Sequence, residues 1–139
     1  MLPERETLSE LRLSQAKQCL VSAEALLQIN DERGAVNRAY YAVFHAIRSV
    51  LILEGKDFAK HSGVISYFRK EYIKTGVFSA DISDTITDLF NSRSSSDYDD
   101  HFDFSKDEVV ELLKESADFV AVIEEYHKNR KTRKTFVLR

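Results

Sequence analysis

The chain has 139 residues, of which 43% are apolar, with one proline, four glycines, a single cysteine and a net charge of −3. That is one domain's worth of polypeptide with enough apolar material for its own core, and too few turn formers for a β-sandwich or barrel. Cys19 alone excludes an intrachain disulfide framework or a zinc site of several cysteines.

No apolar run approaches the roughly 20 residues needed to cross a bilayer. The polar, acidic start MLPERETLSE does not read as a signal peptide. The expectation is a cytoplasmic, mostly helical protein with no membrane partner.

In chain order, Leu13, Ala16, Leu20, Ala23 and Leu27 recur every three or four residues, the core stripe of a first long helix. Thr7 with Glu10 has the form of its capping box. Asp31 reads as the N-cap of a second helix running to about Glu54, with Gly55 as its stop. Apolar nearly all round from Ala39 to Phe44, this helix is expected at the centre of the fold. A third helix runs from about His61 to Thr75 and ends at Gly76, and a fourth covers roughly Asp81 to Ser94. Ser105 and Glu108 form a capping box for a fifth, whose core stripe is Val109, Leu113, Val120 and Ile123. The spacing thus predicts an all-α, antiparallel up-down bundle of four to five helices over residues 1–126, followed by a basic tail, 127–139, with the character of a solvated end.

Charge is unevenly spread. From His127 to Arg139 there are six Lys/Arg and no acid, whereas ten carboxylates between Asp81 and Glu111 face only Arg93 and Lys106. On the second helix, Val36, Tyr40, Val43, Ile47 and Val50 point into the core, and Arg38, Tyr41, His45 and Arg48 share another face. Cationic neighbours favour the neutral imidazole of His45. Two readings stand open: a general base or phosphate-binding strip, or a structural histidine.

Residues 91–103, rich in functional groups, follow the apolar end of the fourth helix and form a second candidate region. Its aspartates resemble hard-cation ligands, and Asp97 and Glu108 stand at the ends of an EF-hand-like span. Phe102 occupies the position of the turn glycine, however, and no metal or other cofactor is expected.

Three ordered motifs now fall together: Asn37-Arg38-Ala39-Tyr40-Tyr41-Ala42-Val43-Phe44-His45-Ala46, then Lys60-His61-Ser62-Gly63-Val64-Ile65, then Arg93 followed by Asp97-Tyr98. Over roughly residues 8 to 126 the chain resembles the HEPN superfamily, in particular its small stand-alone prokaryotic branch. The resemblance implies an antiparallel helical bundle that forms a homodimer. It also implies a metal-independent ribonuclease or toxin paired with a minimal nucleotidyltransferase antitoxin. The family's nuclease motif is an Arg, four to six residues, then a His. Arg93 matches the arginine, but the next histidine is His101, with seven residues between.

The resemblance therefore implies Arg93, with His101 or His45, as the catalytic set on RNA. Arg38, Tyr41, Arg48 and Asp97 are the candidate phosphate or nucleotide contacts, and Tyr98 the candidate acceptor of AMP from the partner. An Arg93–Asp97 ion pair that only braces the loop is the structural alternative. The functional alternative is a non-catalytic module that binds nucleotide, RNA or a protein partner. The net charge of −3 opposes broad binding along a duplex, yet it leaves a small, local phosphate site open.

Overall fold

The computed structural model describes residues 3–98 and 104–137, all helix and connecting turns, with no strand among them. Helix α1 spans Pro3–Gln28, α2 Glu32–Leu51, α3 His61–Phe68, α4 Asp81–Tyr98 and α5 Lys106–Val137. A 3-10 turn, Ile52–Glu54, extends α2, and a π turn, Arg69–Ile73, extends α3. None of the described helices is long and apolar enough to cross a membrane.

The first connection is encoded by two residues. Asn30 adopts φ 63°, a left-handed conformation that asparagine tolerates better than most residues. Its N–H donates to Leu27 O (3.0 Å) and that of Asp31 to Leu26 O (2.9 Å), the paired bonds of a Schellman ending. The Asp31 carboxylate then accepts from Gly34 N at 2.8 Å and opens α2, as its position predicts. Gly55 and Gly76 stop the next two segments at φ 73° and 85°. Ser105 Oγ accepts from Glu108 N at 3.2 Å, so the second capping signal also holds. The first does not: α1 already starts at Pro3, and Thr7 and Glu10 lie inside it. Proline suits a first helical turn, where its missing N–H costs nothing.

Cross-helix pairs set the directions. Cys19–Arg38 and Ser9–Ser49 make α1 antiparallel to α2. Ala39–Ser116 and Ser49–His127 run α5 parallel to α2, and Glu6–Arg130 with Lys17–Glu124 runs it antiparallel to α1. The four long helices form an up-down bundle, with short α3 crossing between α2 and α4. As expected, α2 is central and packs on α1, α3, α4 and α5. Val36, Tyr40, Val43, Ile47 and Val50 are all buried there. In α1 the buried stripe is Ser9, Arg12, Ala16, Cys19, Ala23 and Leu27, rotated from the apolar one, so that Leu13 and Leu20 are only half-buried.

The sequence boundary at residue 127 has no counterpart in α5, which runs through it. His127 and Arg130 continue the core stripe of Ile123 at spacings of four and three. His127 is buried, with Nε2 2.9 Å from Ser49 Oγ. Arg130 donates to both oxygens of Glu6 (3.0 and 2.8 Å), and Lys131 reaches Glu10 at 2.9 Å. The solvated tail of the sequence reading is thus, to this point, a helix docked on α1.

Candidate functional site

Arg38, Tyr41, His45 and Arg48 share one face of α2, as their spacing predicts, and each is half-buried. It meets the first residue of α3, His61, and the last part of α4, which supplies Phe90 and Arg93. The rings pack closely: His61 lies 4.1 Å from Phe44, 5.9 Å from Tyr40 and 5.7 Å from Tyr41 between centroids. The Tyr40 hydroxyl is 3.1 Å from His61 Nδ1. Arg93 lies over the same tyrosine pair, its Cζ 5.2 Å from the Tyr40 centroid and 5.8 Å from that of Tyr41. Both distances fall within cation–π range. Its Nη2 approaches the Tyr41 hydroxyl at 3.5 Å. Tyr40 is thus contacted by His61 at its hydroxyl and by Arg93 over its ring.

The other sequence candidates occupy the edges. Arg38 Cζ sits 5.0 Å from the Tyr41 centroid, with its guanidinium tied to Asn37 Oδ1 at 3.1 and 2.8 Å. Arg48 lies over Phe44 at 5.7 Å and shares the Asp57 carboxylate with Arg12, at 3.3 and 3.0 Å. Two guanidiniums on one carboxylate leave a positive charge at that end of the strip. His45 Nδ1 is buried without a hydrogen-bond partner among the described residues. The side chains of Asp97 and Tyr98, and the whole of His101, lie outside the described residues, as do Asp99, Asp100 and Asp103. Among those described, no group of three or more His, Cys, Asp or Glu gathers as a metal site.

Burial and neighbouring arginines lower both histidines. Burial, then Arg48, Arg38, Arg12 and His61, push His45 down to about 4. It is neutral at physiological pH, as the neighbouring arginines led one to expect, but so weak a base accepts a proton poorly. His61 is also lowered, by burial and then by Arg93 and Arg48. Tyr40 is raised to about 12, mainly by burial, and keeps its proton.

Sequence reasoning named Arg93, Tyr41, Arg38, Arg48 and His45 and left out His61, Tyr40, Arg12 and Asp57. His61 stood in a quoted motif without a role. Arg12 had a legible signal, since it falls in register with Ala16, Cys19 and Ala23 on a buried stripe. Asp57, 45 residues further on, had none.

Fold and site together define an all-α bundle with one composite arginine–histidine–tyrosine site where its second, third and fourth helices meet. The HEPN domain family matches residues 9–126, and the chain belongs to it. It is 32% identical to a UPF0332 protein of Thermotoga maritima over 87% of this chain and 92% of that one. It is 30% identical, over 84% of this chain and 80% of the relative, to a Methanocaldococcus jannaschii protein named as a proposed toxin. A UPF0332 protein of Archaeoglobus fulgidus is 30% identical over 80% and 88% of the two chains.

Proposed function

We propose that this chain is a toxin-like HEPN protein that cleaves RNA without a metal ion, acts as a homodimer and is restrained by a nucleotidyltransferase partner. The observation that carries the reading is the meeting of Arg93 and His61 on Tyr40. The name of the Methanocaldococcus jannaschii relative supports the toxin reading.

Arg93 grips two non-bridging phosphate oxygens, a geometry guanidinium matches bidentately, and neutralises charge that grows there during attack. His61 is the base, in the tautomer whose Nδ1–H donates to the Tyr40 oxygen and leaves the Nε2 lone pair outward. Nε2 takes the proton of the ribose 2′-hydroxyl, and the 2′-oxygen attacks the adjacent phosphorus. The bond to the 5′-oxygen breaks, that oxygen takes a proton from water, and a 2′,3′-cyclic phosphate remains. This assigns to His61 the role that spacing offered to His101 or His45.

The test is incubation of purified protein with total RNA in EDTA, beside Arg93→Ala, His61→Ala, His45→Ala and His101→Ala. Cleavage lost with Arg93 and His61 and kept with His45 supports the reading. Loss with His101 but not His61 moves the base to His101. No cleavage by the wild type favours the second reading, a non-catalytic RNA- or nucleotide-binding module, which the seven-residue gap between Arg93 and His101 supports. Sedimentation at micromolar concentration tests the dimer, and a monomer contradicts it. Co-expression with a nucleotidyltransferase should add the mass of one AMP, removed by Tyr98→Phe; an unchanged intact mass contradicts that form of control.

A further inference from the structure

Phe90 belongs to two environments. Its ring centroid is 6.2 Å from that of Tyr40, at the edge of the site, and the same ring lines a cavity of about 340 Å³ between α3 and α4. That volume falls in the small-molecule range, roughly 300–1,000 Å³. The cavity starts at Ser62, next to His61. On α4, Phe90 precedes Arg93 by three residues, so the two share one face of the helix, and both contact Tyr40.

The lining is chemically mixed. Ile65, Ile86 and the half-exposed ring of Phe90 give apolar walls, while Ser66 and Asn91 bring hydroxyl and amide groups to it. The Asn91 amide carries both a donor and an acceptor, the combination that pairs with a base edge. Arg69 opens the π turn and is fixed to α4 by bonds to Ser83 Oγ, Ser83 O and Thr87 Oγ1 at 3.1, 3.1 and 2.6 Å. None of the lining residues is acidic. An aromatic face, an amide, hydroxyls and a guanidinium in one slot are the groups by which proteins hold unstacked RNA bases.

We infer that the cavity between α3 and α4 is a nucleobase subsite, holding the base of the nucleotide whose phosphate lies at Arg93. This rests on the phosphate reading above, and the experiment separates the two. Calorimetric titration of the wild type compares AMP, GMP, CMP and UMP with ribose 5-phosphate, which has the phosphate and sugar but no base. At least one nucleotide is expected to bind roughly tenfold more tightly than ribose 5-phosphate, the scale of one base–aromatic stack. Ser66→Phe, which fills the slot, should erase that gain and leave ribose 5-phosphate binding unchanged. Asn91→Ala, at an exposed position, should reduce the gain and change which base binds best.

Arg93→Ala should weaken every phosphate-bearing ligand, ribose 5-phosphate included. Equal binding with and without a base overturns the inference, as does a gain that survives Ser66→Phe, or a Ser66→Phe effect confined to oligomeric state. Binding of free adenosine that Ser66→Phe abolishes, alongside ribose 5-phosphate that fails to bind, would keep the subsite and sink the phosphate reading alone.

Discussion

The two flanks of α4 carry opposite charge. Toward α2 and α3 it presents Phe90 and Arg93 to tyrosines and a neutral histidine, and the cavity there has no carboxylate in its lining. Toward α5, Asp88 borders a groove with Glu108, Glu111 and Glu115. There burial, then Asp88 and Glu111, push Glu115 up to about 7. The two grooves lie on either side of α4 and meet at Asn91, which borders both. On the reading proposed above, an acidic protein can hold an anion site because the carboxylates of this groove lie on the α5 side of the helix that carries Arg93. Net charge averages over a distinction that the bundle maintains.

Arg93→Ala should break the cationic flank outright. Loss of one group that stabilises transition-state charge costs on the order of 10²–10³ in rate, read as RNA cleavage in EDTA. Glu115→Gln, the control on the opposite flank, should leave that rate within about twofold. An equal loss in both variants would erase the contrast.

Stability at three points of pH sharpens it further. Burial and the facing Asp88 carboxylate hold Glu115 up at about 7 in the folded protein, above its ordinary 4.5. Its contribution is therefore complete below pH 4.5 and lost as pH rises through about 7. His45 and His127, each lowered from 6.5 to about 4, contribute stability above pH 6.5 that is lost as pH falls through about 4. In the wild type the two slopes oppose. Chemical denaturation at pH 4.5, 6 and 7.5 should show Glu115→Gln losing the decline toward pH 7, so that its stability falls only on acidification. His45→Gln should shift the balance the opposite way. A wild-type pH profile retained in both variants would contradict these assignments.

Smaller effects belong to α5. Ser49→Ala removes the hydroxyl facing the buried His127 Nε2 and should cost about 1–3 kcal/mol in denaturant unfolding. Lys131→Ala breaks an exposed pair with Glu10 and should cost less than about 1 kcal/mol.

Local chemistry was legible in sequence, and convergence between distant elements was not. Asp31 and Ser105 announce their caps because a cap is a bond between residues three apart. The buried face of α2 follows from helical period. The place of Arg12 on the buried stripe of α1 follows from it too, in register with Ala16 and Cys19, but the partners that let an arginine enter a core, Asp57 and the Arg48 carbonyl, come from distant elements and do not. The same holds at the C-terminal segment, whose basic composition conceals positions 127 and 130 aligned with Ile123. At the site, Arg93 was legible from its motif. The histidine that shares Tyr40 with it was not, since contiguous spacing points to His101 while packing brings His61 to Tyr40.

Heteronuclear shift mapping of the labelled protein during titration with a short RNA oligonucleotide tests the central claim most directly. The expected result is a set of perturbations centred on residues 38–45, 61–66 and 90–93, with the Asp88–Glu115 flank unmoved and all shifts lost in Arg93→Ala. Perturbations centred on 128–134, or a response indifferent to Arg93, would contradict it.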